Sequence, residues 1–299
     1  MKISNIYYTI LNKPFFIDLR RIDAQAVLID KLLSHDIGEF TSEKLSDTKP
    51  VVRAVAGGKT AVGNFSKAPE GSVAVVSLRG DMLKNGTRCS YGTEEIAAVI
   101  REAAGSPRII GIRLDIDSGG GAVDAIAPML DAISFCQAKG KPVVACCDLC
   151  ASAAYYVASH CDMIMADNAI SAEFGSIGVM MQFPDYAKYY EQKGIKVHTI
   201  YSDLSTHKNA PFEAALKGDY KSIREEQLNP LAREFQEAVK SHRKNLDLKT
   251  DGILNGRMFY AQDALKNGLI DKVGTRDQAT EEVRRLAASM SLQGYAASL

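Results

Sequence analysis

An α/β fold with a mostly parallel sheet is predicted by three observations. From Ser72 onward, short apolar segments of strand character alternate with helical segments, a pattern that implies parallel pairing through right-handed crossovers. The apolar segments are continuous rather than alternating, as expected of strands covered on both faces. Residues 1–70 share none of this regularity and are expected to form an N-terminal extension and linker.

Within the extension, residues 24–33 carry an amphipathic, helical pattern, while residues 41–67 are polar, contain Gly57-Gly58 and read as loop or linker. The first strand is predicted over 73–78, with the sequence Val-Ala-Val-Val-Ser-Leu. A helix follows over 91–104, with Thr93 placed to cap it and Glu94 and Glu95 in its first turn. The next strand spans 109–116, and the next helix 122–139, stopped by Gly140. Residues 142–147 read as a third strand, 151–159 as a third helix and 163–166 as a fourth strand. A further strand is expected at 197–201. Residues 218–245 read as a charged, mostly helical segment whose packed stripe is Ile223, Leu228, Leu231, Phe235 and Val239, with Pro230 placed to kink or split it. Residues 71–285 thus form the main domain, and 286–299 read as a flexible tail.

Composition narrows the function classes. Lys+Arg and Asp+Glu both number 36, so no net charge draws the chain to nucleic acid or an anionic membrane. Apolar runs end well short of membrane-spanning length, and residues 1–6 lack a signal-peptide core, which points to a cytoplasmic protein without a membrane anchor. Of six cysteines, Cys146, Cys147 and Cys150 crowd one strand and its exit. Cys147 and Cys150 have C-x-x-C spacing, but no second pair with zinc spacing follows, so these are read as buried thiols, and no metal or cofactor is expected.

Three segments can carry chemistry. Ser152 lies where a strand ends and a helix begins, a junction at which a hydroxyl meets free N–H groups and the positive end of the helix dipole. It reads either as a nucleophile or as an N-cap. Asp117-Ser118-Gly119-Gly120-Gly121-Ala122 also joins a strand to a helix. Its glycines let backbone N–H groups converge, as in an oxyanion hole, and serve equally a plain tight turn. A phosphate loop is disfavoured because neither G-x-x-x-x-G-K-[ST] nor G-x-G-x-x-G is present. The polar loop 202–211 contains His207 and Lys208, the two candidates for a base. A lysine serves as a base only as the neutral amine, a state favoured by burial in a partly apolar cleft. An exposed, inert loop lysine is the plain alternative. His160, eight positions beyond Ser152, lies too far along the helix to reach it.

Together these residues resemble the S49 family of serine peptidases, which includes signal peptide peptidase A and phage prohead (capsid assembly) proteases. The resemblance covers about residues 72–285 and rests on four landmarks in order. They are Ser118-Gly119-Gly120-Gly121, then Ala151-Ser152-Ala153-Ala154-Tyr155-Tyr156, then Phe174-Gly175-Ser176-Ile177-Gly178-Val179, and finally Gly256-Arg257 with the block from Ala264 to Asp271. Gly119 stands where the family has proline, and Ala153-Ala154 where it has two glycines.

The resemblance implies a ClpP/crotonase-like fold of repeated ββα units with stacked, mostly parallel sheets. It implies a Ser152–Lys208 dyad, an oxyanion hole from the amides of Gly120 or Gly121 and of Ala153, and Ser176 orienting the lysine. It further implies a serine endopeptidase without cofactor, assembled as a homo-oligomeric ring. Its substrate would be a polypeptide such as a scaffold or capsid protein, met in the host cytoplasm or an immature phage capsid, or the chain would be a soluble relative of signal peptide peptidase. The same architecture hosts acyl-CoA hydratases and isomerases, for which Asp148 and Glu173 would be the acid/base groups, and an inactive ring-forming assembly protein is the third reading.

Overall fold

The computed structural model describes residues 15–17, 53–56, 59–62, 65–86, 90–183 and 185–297. The helix expected over 24–33 lies outside them. β1 (Phe15–Ile17) pairs antiparallel with a three-residue strand described below. β2 (Arg53–Ala56) and β3 (Lys59–Val62) form an antiparallel hairpin, and β2 joins β4 (Ser72–Arg79) antiparallel. β4 runs parallel to β5 (Ile109–Ser118). β6 (Gly120–Ala122), the partner of β1, follows one residue later. β5 in turn runs parallel to β7 (Val143–Ala151).

The sheet then forks on β7. Its first half, Val144 to Cys147, pairs with β8 (Met163–Ala166), and its second half, Leu149 to Ala151, with β9 (Glu173–Gly175), both parallel. β10 (Met258–Tyr260) closes the β9 branch antiparallel, and β11 (Lys272–Val273) closes the β8 branch parallel. The mostly parallel α/β sheet expected from the sequence is the one observed.

Helices α1 (Thr93–Gly105) and α2 (Ile126–Ala138) cover one face. The core there joins Val76, Leu78, Ile112, Leu114 and Ile116 to Ile100, Met129 and Ile133. Each such fully buried aliphatic side chain contributes about 1.5–3 kcal/mol. α3 (Ala153–Ser159) follows β7. After the short helices α4 (Ala187–Gln192) and α5 (Ala210–Leu216), α6 (Asn229–His242) buries Phe235 and Val239 in the same core. α7 (Ala261–Lys266) leads to β11, and α8 (Arg276–Ala297) covers the opposite face, packing Ala279 and Val283 on Val73, Val144, Cys146 and Met165. Coverage of both faces explains the apolar runs Val73–Val76 in β4 and Val143–Cys147 in β7, whereas β5 alternates apolar residues with Arg113 and Asp115.

On the α8 side, Arg113 and Asp115 are buried as a two-pronged pair, with Nε to Oδ1 at 2.7 Å and a second nitrogen to Oδ2 at 2.9 Å. The same guanidinium donates to the Arg276 carbonyl at 2.9 Å and to Thr280 Oγ1 at 2.7 Å, tying α8 to the sheet.

Several local expectations are corrected. Within the loop expected over 41–67, β2 and β3 pair antiparallel, Arg53 opposite Val62 and Ala56 opposite Lys59. Thr93 is the first residue of α1 rather than its cap. Gly92 stands at the cap, and its N–H donates to the Glu95 carboxylate at 2.7 Å. Helix α2 starts at Ile126, since β6 and a turn take up residues 120–125. Residues 197–201 form no strand and are mostly exposed. Residues 224–228 wind as a wider π turn ahead of Asn229, and the helical path runs on through Pro230 without a break. Beyond Arg285 the chain continues as α8 to Ala297.

Candidate active site

Ser152 forms the sharp turn between β7 and α3, with φ 55° and ψ −121°. An L-residue holds such a conformation only where its surroundings over-determine it. Here the Ser152 N–H donates to the Gly175 carbonyl at 2.9 Å, extending the β7–β9 ladder by one residue. The Ser152 carbonyl accepts from the Tyr156 N–H at 2.9 Å, opening the helix. Ala153 and Ala154 are fully buried, so the turn carries a Cβ at both positions. The Ser152 side chain is 1% exposed, and its Oγ has no hydrogen-bond partner among the described residues. It stands at the N-cap position but makes no capping bond, which removes the N-cap reading.

The glycine turn leaves β5 directly beside this point, because Ser118 pairs with Cys150 across β5 and β7. The Ser118 hydroxyl donates to the Gly80 carbonyl and accepts from the Gly120 N–H at 3.2 Å. β6 is bridged to Met82. The Met82 N–H donates to the Gly120 carbonyl, and the Ala122 N–H donates to the Met82 carbonyl, each at 2.9 Å. A Cβ at Gly121 would lie 2.1 Å from the Met82 carbonyl oxygen, so this close approach requires glycine. Ala153, as first residue of α3, has an N–H with no acceptor inside its own helix.

Ser176 is a second left-handed residue, with φ 52°. It is half-buried, and its N–H donates to the Arg257 carbonyl at 3.0 Å. Three segments therefore meet in one backbone chain, Ser152 to Gly175 and Ser176 to Arg257, with the Ser118 turn alongside.

Lys208 does not join this cluster in the single chain. It lies exposed in a turn, its backbone N–H donating to the Ser205 carbonyl at 3.1 Å, and no described contact links it to Ser152. His207 is exposed in the same turn. His160 sits at the far end of α3, its Nδ1 bonded to the Tyr156 carbonyl at 2.9 Å and its ring 4.0 Å from that of His242. Burial pushes its pKa below the ordinary histidine value, and His242 adds to the shift. Asp148 is held by Asn168 and Ser171 at 3.1 and 2.9 Å. Cys136, Cys146, Cys147, Cys150 and Cys161 are free and buried. Burial pushes the Cys136 and Cys146 thiols up to about 12, which keeps them protonated. Sequence reasoning missed Met82, and it gave Arg257 only as part of a family landmark; both act through main-chain groups that residue type does not advertise.

The Peptidase family S49 model matches residues 136–290, or 155 of the 299 residues. The chain belongs to peptidase family S49. The match contains Ser152, Ser176 and Lys208, while the glycine turn at 118–121 lies ahead of it. Among curated relatives, the Methanocaldococcus jannaschii protein MJ0651 is 33% identical over 178 residues, covering 59% of this chain and 56% of its own length. Protease 4 of Haemophilus influenzae is 26% identical over 217 residues, 72% of this chain and 34% of that protein. Head-tail preconnector protein GP5 of Enterobacteria phage P21 is 30% identical over 185 residues, 61% of this chain and 36% of that protein. The chain thus spans between a third and just over half of the length of these S49 relatives. The mostly parallel α/β architecture implied by the resemblance agrees with the forked sheet. Among the described residues, no helix is long and apolar enough to cross a membrane.

Proposed function

We propose that the chain is a serine endopeptidase with Ser152 as nucleophile and Lys208 as general base. The observation that carries the reading is the Ser152 hydroxyl, buried on a left-handed turn, uncommitted to any described hydrogen bond and adjacent to the glycine turn. A buried hydroxyl without a partner costs about 1–3 kcal/mol, so its retention at such a turn suits a reacting group. In the proposed reaction the neutral Lys208 amine takes the Ser152 proton and Oγ adds to a peptide carbonyl. The resulting oxyanion lies between the amides of Gly120 or Gly121 and of Ala153. Collapse breaks the C–N bond, Lys208 returns the proton to the leaving amine, and water activated by Lys208 releases the acyl group. Ser176 holds the amine in place.

This reading needs Lys208 brought onto Ser152, either by rearrangement of residues 185–222 or by a second copy of the chain. Ile200 and Leu204 in that stretch are 92% and 95% exposed, and a homo-oligomeric ring would cover them. Similarity to capsid assembly protease C of Escherichia phage lambda favours a scaffold or capsid protein as substrate and a host-cytoplasmic or immature-capsid setting. The test is labelling with a fluorophosphonate probe followed by mass spectrometry. The probe mass is expected on Ser152, with turnover of protein substrates lost in Ser152→Ala; a Ser152→Ala protein that cleaves at the native rate refutes the assignment.

A further inference from the structure

β1 brings a distant part of the chain onto the proposed site. Phe15, Phe16 and Ile17 lie antiparallel to β6, with Phe15 opposite Ala122, Phe16 opposite Gly121 and Ile17 opposite Gly120. The other edge of β6 is already taken, since the Gly120 carbonyl and the Ala122 N–H both bond to Met82. Successive residues of a strand point their polar groups to opposite edges. The N–H and carbonyl of Gly121 therefore face β1, and Phe16–Gly121 is the hydrogen-bonded pair. β1 also runs beside α3, the helix that starts immediately after Ser152.

An extended segment on this edge has the geometry of a bound peptide. Main-chain bonds to an open strand edge give affinity without regard to sequence, which is how extended peptides add to sheets. Both residues opposite Phe16 and Ile17 are glycines, so the strand beneath presents no side chain there. We infer that β6 is the peptide-binding edge and that residues 15–17 occupy it in cis, as a built-in competitor that a polypeptide substrate must displace. The inference rests on the proposed peptidase reading for the consequence and on β1–β6 pairing alone for the occupancy.

The pairing makes an unusually sharp test possible in the full-length chain. Proline at position 16 removes the N–H that faces Gly121, whereas proline at position 17 removes an N–H that points away from β6. Hydrogen exchange at the Gly121 amide reads occupancy, and the rate of fluorophosphonate labelling at Ser152 reads access. Phe16→Pro is expected to speed Gly121 exchange at least tenfold and Ser152 labelling by a comparable factor, while Ile17→Pro leaves both near native. A synthetic peptide of residues 10–22 added to the Phe16→Pro protein is expected to restore Gly121 protection and slow labelling; the same peptide with proline in place of Phe16 does neither. Equal Gly121 exchange in the native and Phe16→Pro proteins overturns the occupancy. Faster exchange with unchanged, measurable labelling overturns the competition. Loss and peptide rescue of Gly121 protection with Ser152 inert in every form supports the occupancy and instead refutes the peptidase reading.

Discussion

The N–H of Ser152 donates to the carbonyl of Gly175 at 2.9 Å, and this bond sets two left-handed turns back to back. Gly175 has φ 125°, and a Cβ there would lie 2.3 Å from the Arg257 carbonyl oxygen. Ser176, next in the chain, uses that same carbonyl as the acceptor for its N–H. The position of the Ser152 hydroxyl is thus fixed by main chain from β7, β9 and the residue before β10.

The strain at Ser152 predicts a stability difference between two inactive variants. Glycine adopts φ 55° and ψ −121° without a Cβ penalty, and alanine does not. Ser152→Gly is expected to be more stable than Ser152→Ala by about 1 kcal/mol, after allowance for the greater entropy of glycine in the unfolded chain. Urea unfolding of both proteins checks this. Equal midpoints, or a more stable alanine variant, would show that the turn is relaxed.

The base is tested by its two neighbours in one turn. Lys208→Ala is expected to lower the rate of substrate cleavage by about a hundredfold or more, the usual contribution of a positioned general base. His207→Ala should leave the rate within about twofold. Both residues are exposed, so neither change is expected to alter the melting temperature of the isolated chain. Retained activity in Lys208→Ala, with loss in His207→Ala, would transfer the role to the histidine.

Much of the fold was legible because β4, β7 and β8 are largely buried on both faces and so appear as apolar runs, while β5 shows Ile112, Leu114 and Ile116 alternating with the buried Arg113 and Asp115. β6 was not, since Gly120-Gly121-Ala122 has no strand propensity, and its extended form comes from Met82 on one edge and β1 on the other. The hairpin at 53–62 hid behind the same ambiguity, as Gly57-Gly58 marks both loops and tight hairpin turns. Val197, Thr199 and Tyr201 mimic a half-buried strand, but the segment finds no partner strand among the described residues. At the site, residue type and order pointed to Ser152, yet its left-handed backbone and its bond to Gly175 depend on contacts over more than twenty residues of chain. The distance from Ser152 to Lys208 is set by the path of an exposed segment with few buried side chains, and nothing local in the sequence encodes it.

The pair under α8 predicts an asymmetric response to mutation. Asp115→Ala leaves the Arg113 guanidinium buried without its carboxylate, a change that costs about 3–5 kcal/mol at comparable sites. Its remaining bonds to Thr280 and the Arg276 carbonyl place the expected loss at the lower end, about 3 kcal/mol. Replacing both partners together, Arg113→Met with Asp115→Leu, removes the unpaired charge and should recover most of that loss. Denaturant melts of the single and double variants distinguish the cases. A double variant less stable than Asp115→Ala would mean that the pair contributes net stability beyond its own desolvation.

His160 gives the fold a dependence on acid. Burial, with a smaller contribution from His242, depresses its pKa in the folded chain. In the unfolded chain it titrates near the ordinary histidine value of about 6.5. As pH falls through that value the unfolded state binds the proton first, so the contribution of His160 is complete above about 6.5 and is lost as pH drops through its lower folded value. The limiting slope for one proton is about 1.4 kcal/mol per pH unit, and less is expected because the ring is only half-buried and solvent screens it. Asp162, whose carboxyl is raised by burial, acts with the opposite sign at more acidic pH, since the folded state there takes up its proton first. Comparing native protein with His160→Asn cancels that background. The native protein should lose stability between pH 7 and 5 more steeply than the variant, in urea melts at half-unit steps. Parallel profiles would mean that the imidazole takes up its proton as readily in the folded chain as in the unfolded one, leaving the packing against Tyr156 and His242 without a titration consequence.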